Sequence, residues 1–171
     1  TRYDTRIFIK MCCSLAANKY SVYLLVADGR GDEVADNIQI YDVGKSTSRL
    51  DRMIRVSRRL HDRAIGVDAD IYHLHDPELI PLGLRLKRLG KKVIYDSHED
   101  LPSQIFSKPY LRPLIRIMLS KLAAAFECWA LKKLDGVIAA TPLINDRFSK
   151  LGIGSVVIKN FPVMEMNDRT D

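Results

Sequence analysis

The chain has 171 residues, 47% apolar and 28% charged, and its 27 Lys and Arg against 21 Asp and Glu leave a net charge of +6. That balance belongs to a folded protein, and the length suits one good-sized domain. No apolar run approaches the ~20 residues of a membrane-spanning helix, and three cysteines form neither a disulfide framework nor a CxxC pair, so a spanning protein, a secreted knottin and a zinc finger are excluded.

Residues 1–5 are polar and too short for either the apolar core of a secretory signal or a strand. A helical period over 6–17 follows at once. Doubly wound sheets begin with a strand, so the first strand is expected to be missing. Cys12 and Cys13 lie in that helix and, with Cys128, fit a reducing compartment as small buried hydrophobes. A β-branched run at 22–27 is expected to be a strand. Gly29-Arg30-Gly31 after it lacks a third glycine and a following helix, so it fails as a dinucleotide fingerprint. A strand is expected over 38–43 and a helix over 48–64. Further strands are expected over 71–74, 93–95, 137–139 and 156–158, separated by helical periods over 77–89, 111–134 and 142–151. Gly90 and Gly152 follow the ends of two of these helices, and Thr141-Pro142 reads as a cap with proline at the first helical position. The polar segment 164–171 looks like the start of a linker. Continuously apolar strands alternating with helices imply an α/β fold: a Rossmann-like, doubly wound, mainly parallel sheet with helices on both faces.

Ligands of open α/β sheets sit beyond the carboxyl ends of strands. Two polar clusters fall there: His73-Leu74-His75-Asp76-Pro77-Glu78 after one strand and Asp96-Ser97-His98-Glu99-Asp100 after the next. Histidine titrates near neutral pH, so such a site moves protons or binds anions. His73 within its strand also fits a packed core histidine. Asp76 before Pro77 serves equally as a helix cap, Asp96 and Ser97 equally cap a turn, and Glu99 and Asp100 equally favour a helix dipole. His98, past the strand end, is the strongest functional candidate. His73, His75, Asp96 and His98 are also an alternative zinc set, that of a metal-dependent hydrolase, although the HxHxDH run of binuclear zinc hydrolases is not met. A non-catalytic flavodoxin-like binding module is a further alternative.

Basic residues are concentrated. Segments 45–63 and 108–133 each carry a net +5, and the remainder sums to −4. Arg52, Arg55, Arg59 and Arg63 form one stripe three and four apart, opposite Leu50, Met53, Ile54, Ser57, Leu60 and Ala64. The second segment sets Lys108, Arg112 and Arg116 among Phe106, Tyr110, Leu111, Leu114 and Met118. Basic and apolar residues at helical spacing read as a surface for anionic lipid, or as a solvated helix face. No nucleic-acid motif accompanies the charge, so no nucleic-acid partner is expected.

The runs His73-Leu-His-Asp-Pro-Glu-Leu-Ile-Pro81 and Val93-Ile-Tyr-Asp-Ser-His-Glu-Asp100, with Asp4-Thr-Arg-Ile-Phe-Ile-Lys10 and Ile158-Lys-Asn-Phe-Pro162, resemble the N-terminal domain of family 4 (group 1) glycosyltransferases. The resemblance implies a retaining enzyme of the GT-B fold, with two Rossmann-like lobes facing a cleft. Residues 1–163 then correspond to the acceptor-side lobe and 164–171 to the start of the interdomain linker. The donor-binding lobe is absent, so this fragment is expected to be inactive alone. His98 matches the cleft histidine near the transferred sugar. Asp4, Arg6 and Lys10 match the cleft-facing start of the first helix, His75 and Asp76 the strand-end motif, with Asp96 and Glu99 beside it, and Asn160 the crossing to the second lobe. The resemblance implies a nucleotide-sugar donor, a glycan or lipid-linked acceptor, cell-envelope synthesis on the cytoplasmic leaflet, and no cofactor. Metal dependence is not expected for this fold, and Asp68-Ala69-Asp70, a DxD, precedes a strand at the wrong end of the sheet.

Overall fold

The structure, a computed structural model, describes residues 2–48, 51, 55–110 and 112–161. The chain divides into two compact units, one running up to Val67 and including Asn160 and Phe161, the other Asp68–Lys159. Leu50, Arg52, Met53, Ile54 and Leu111, and the expected linker from 164, lie outside the described residues.

In the first unit Asp4 opens helix α1, its Oδ1 accepting the backbone N–H groups of Arg6 at 2.8 Å and Ile7 at 3.0 Å. The helix is π-wound over Thr5–Cys12 and α-helical over Cys13–Ala17. Its apolar side, centred on Phe8 and Cys12, packs with Ile38 and Ile40, and Val22, Leu24 and Val26 close around them. Burial pushes the Cys12 thiol up to about 11, which keeps it an inert hydrophobe. Strand β1 (Val22–Val26) runs parallel to β3 (Ile38–Asp42), and β2 (Glu33–Ala35) pairs antiparallel with the other edge of β3. The sequence expectation omits β2. Its signal is the two-residue turn Asp36-Asn37, whose φ values of 49° and 61° suit Asp and Asn better than other non-glycine residues. Helix α2 (Ser57–Val67) is the described part of the helix expected over 48–64.

The second unit is a four-stranded parallel sheet in the order β4 (Ile71–Leu74), β5 (Lys92–Ser97), β6 (Gly136–Ala139), β7 (Val156–Val157). Every crossover carries a helix. A 3₁₀ turn, Pro77–Leu79, leads into α3 (Ile80–Arg88); α4 (Leu101–Phe106) and α5 (Pro113–Leu131) join β5 to β6; α6 (Pro142–Lys150) joins β6 to β7. Sequential strand order with right-handed crossovers puts these helices on one face of the sheet. The neighbouring helices α5 and α6 are tied there by Arg147 and Glu127, 2.6 Å apart.

The expected helix ends are borne out. Thr141 Oγ1 accepts the Ile144 N–H at 3.3 Å, and Gly90 and Gly152 take positive φ just past their helices. Helix α4 went unpredicted: Asp100 caps it, its Oδ2 accepting from the Ser103 hydroxyl at 2.8 Å. The fold is thus α/β and Rossmann-like, with a short antiparallel hairpin at one edge of the first unit's sheet. Among the described residues no helix is long and apolar enough to cross a membrane.

Candidate active site

The pleat of β4 and β5 decides which side chains meet. His73 lies opposite Ile94 and Leu74 opposite Tyr95, so His75 falls beside Asp96. Leu74 and Val93 lie against Gly83 of α3. Alternation therefore turns His73, His75 and Asp96 to the face opposite α3. There the two imidazoles lie with centroids 4.5 Å apart and planes tilted by 32°, and His75 Nδ1 lies 3.5 Å from Asp96 Oδ2. Asp96 is 0% exposed, as is Ser97, and a buried carboxylate needs just such cationic or donor neighbours. His75 thus sets its ring edge against a buried carboxylate, without a hydrogen bond at its Nδ1 among the described residues.

Ser97 then ends the strand, its hydroxyl donating to the Glu99 carbonyl at 3.1 Å. That leaves His98 and Glu99 exposed past the carboxyl end of β5. Asp76 is exposed at the start of the 3₁₀ turn and makes no side-chain cap, so its carboxylate is not used for capping. His75, Asp76, Asp96, His98 and Glu99 thus all lie at the carboxyl ends of two adjacent strands, with buried Asp96 and half-buried His75 beneath an exposed rim.

The alternative zinc set is brought together in three of its four members. His73, His75 and Asp96 place ligand atoms within 4.8 Å of one another, while His98 stays outside. Ligands around a tetrahedral zinc stand roughly 3.3 Å apart, closer than that outer limit. Three of the four members form a close group at separations of up to 4.8 Å, without the fourth.

In the first unit Asp4 caps α1, and Arg6 follows it half-buried. Lys10 Nζ donates to Asn160 Oδ1 at 2.6 Å and also to the Phe161 carbonyl. The sequence singled out Lys10 and Asn160 separately, and the fold joins them. The loop after β1 is filled from within. Asp42 accepts N–H groups from Asp28 and Gly29 at 3.2 Å, Gly31 at 2.9 Å and Gly44 at 2.8 Å. Burial alone would raise the Asp42 carboxyl, but these four donors hold it below the usual carboxylate range. The glycine-containing loop therefore spends its donors on Asp42, which agrees with its failure as a phosphate motif.

Of the arginine stripe, Arg55 lies 3.8 Å from Asp51, and Arg59 donates to the Gly44 carbonyl at 3.4 Å. Arg63 pairs with Asp32 and stacks 3.9 Å over Tyr41. Those contacts give Arg59 and Arg63 work inside the first unit. The second segment differs: Lys108 stands over Tyr110 and Arg116 over Phe106, with Arg112 exposed before α5. Sequence reasoning missed Trp129, with Lys133 3.9 Å over its ring; the signal was an aromatic three residues after Phe126 on an otherwise apolar face.

The family model for Glycosyltransferase Family 4 matches residues 5–161. No curated protein matches the chain significantly.

Proposed function

This chain belongs to glycosyltransferase family 4, and from that premise we propose that it is the acceptor-side lobe of a retaining enzyme. The reaction moves a sugar from a nucleotide-sugar to an acceptor hydroxyl. The anomeric carbon's bond to the diphosphate breaks, a bond to the acceptor oxygen forms with the same anomeric configuration, and the acceptor's proton ends on the departing diphosphate or in solvent. Positive charge develops on the sugar and negative charge on the leaving phosphate, so placed donors and cations stabilise the transition state.

The observation that supports this reading best is the strand-end arrangement. An exposed His98 stands immediately beyond a β5 whose Asp96 is buried against His75. His98 is the catalytic residue in this reading, placed at the sugar and acceptor, and His75, Asp76, Asp96 and Glu99 shape the acceptor side around it. On the first unit Asp4, Arg6, Lys10 and Asn160 are the further substrate-side residues. The donor nucleotide is held mainly by a second lobe outside these residues, without a bound cofactor. The acceptor is a glycan or lipid-linked glycan of cell-envelope synthesis, met at the cytoplasmic face of a membrane whose anionic lipids attract Lys108, Arg112 and Arg116, while Arg59 and Arg63 of the other basic segment are engaged within the first unit.

The test is His98→Ala in the full-length transferase. Sugar transfer is expected to fall on the order of a hundredfold, the scale of a lost general acid–base or positioning group, with the thermal transition unchanged. Undiminished transfer refutes the role given to His98.

A further inference from the structure

We propose that the outer face of α5, ending in a cationic seat formed with α3, docks the protein on an anionic phospholipid bilayer. The inference deepens the membrane part of the function above, rests on that reading, and moves the contact to residues outside the substrate-side set.

Helix α5 buries Glu127, Ala130 and Leu131 in its last turns. An exposed side is apolar too. Leu114, Met118, Leu122, Phe126 and Trp129 recur at intervals of four, four, four and three, and are 81%, 55%, 59%, 39% and 49% exposed. That spacing lays them along one stripe of a helix, over about 22 Å of its length. A solvated helix face would carry charge there, and a continuous exposed apolar stripe marks an interaction surface.

The surrounding charge selects the occupant. Segment 108–133 holds six Lys and Arg, and its single acid, Glu127, is buried against Arg147. A second copy of this face would bring two sets of cations together without a counter-charge, whereas an anionic bilayer complements them. Aromatic–cation pairs stand at both ends of the stripe. Lys108 with Tyr110 and Arg116 with Phe106 lie at the start, and Lys133 with Trp129 lies at the end. Such pairs place a ring at the acyl boundary and a cation among headgroups.

At the Trp129 end the stripe opens into a cavity of about 200 Å³ lined by Leu84, Lys87, Arg88, Trp129 and Lys133. Lys87 is held 2.7 Å from Asp135. Arg88 and Lys133 are exposed and supply the seat's net positive charge. Phe126 and Trp129 lie 6.1 Å apart, so the apolar stripe runs into the seat without a break. A lipid phosphate at Arg88 and Lys133, with its acyl chains over Trp129, Phe126 and Leu122, uses every one of these features.

The experiment is flotation of the full-length protein with vesicles of phosphatidylglycerol and phosphatidylcholine, against phosphatidylcholine alone. Three variants are compared: Arg88→Glu/Lys133→Glu, Leu122→Ser/Phe126→Ser, and Arg55→Glu on the other basic segment. Anionic vesicles are expected to bind, with each double variant about tenfold weaker or more and Arg55→Glu within about twofold of wild type. Equal binding to neutral vesicles, or an equal loss from Arg55→Glu, overturns the assignment to this face. So does conversion of a dimer to a monomer by Leu122→Ser/Phe126→Ser without change in vesicle binding. Transfer to a soluble acceptor is measured on the same proteins. If transfer persists while no vesicle binding is found, the docking inference fails and the transferase reading stands. If wild type binds vesicles but transfers no sugar, the transferase reading fails instead.

Discussion

Arg147 Nη2 lies 2.6 Å from Glu127 Oε2, and Glu127 is entirely buried. Burial raises the Glu127 carboxyl above its ordinary range, and the hydrogen bond and charge of Arg147 oppose that rise. Removing the guanidinium leaves a buried charge uncompensated. Arg147→Met is therefore expected to cost about 3 kcal/mol at neutral pH, read by chemical denaturation. A carboxyl whose folded pKa is raised binds its proton more tightly when folded, so folding gains as pH falls through that pKa and loses as pH rises through it. Arg147→Met is thus expected to regain stability on acidification from pH 7 toward 5. Adding Glu127→Gln to it removes that recovery.

Asp42 makes the opposite pH prediction. Its folded pKa is lowered by the N–H groups of Asp28, Gly29, Gly31 and Gly44, against the opposing effect of burial. The stability it contributes is complete above the unfolded carboxyl value of about 3.9 and is lost as pH falls through the lower folded value. Asp42→Asn is expected to cost about 2 kcal/mol at pH 7, because the amide accepts fewer of those bonds and charge assistance is gone. The difference from wild type narrows below about pH 4. A gap between the two proteins that stays constant from pH 7 to pH 3 contradicts this account of the loop.

Gly83 lets α3 settle onto β4 and β5. A methyl group there would stand 2.6 Å from Leu74 Cδ1 and 3.2 Å from Val93 Cγ1, both in side chains that are themselves buried. Gly83→Ala gains about 1 kcal/mol of helix propensity but meets an overpacking cost of about 1–3 kcal/mol. A net loss of about 1 kcal/mol, seen as a lower Tm, is expected. A raised Tm means that Leu74 moves freely enough to admit the methyl.

Much of this was legible in the sequence, for local reasons. The parallel strands read as short β-branched runs, and the caps at Thr141, Gly90 and Gly152 are properties of single positions. The convergence of His75 and Asp96 was legible once their strands were taken as neighbours, since alternate residues share a face. The hairpin strand Glu33–Ala35 was not, because three residues are too few to carry a period and only the Asp36-Asn37 turn betrays them. Helix α4 is one and a half turns long and shows only its cap. Lys10 with Asn160, and Arg63 with Asp32 and Tyr41, depend on pairings remote in the chain. An arginine stripe read from spacing alone therefore looked freer than it is.

The most direct measurement follows the anomeric configuration of the product, by proton NMR, when the full-length protein is supplied with nucleotide-sugars and a soluble acceptor glycan. The account predicts release of a nucleoside diphosphate together with a glycoside of unchanged anomeric configuration, and loss of both in His98→Ala. An inverted product, or the absence of transfer alongside a hydrolysis that added zinc switches on and His75→Ala or Asp96→Asn abolishes, would contradict it.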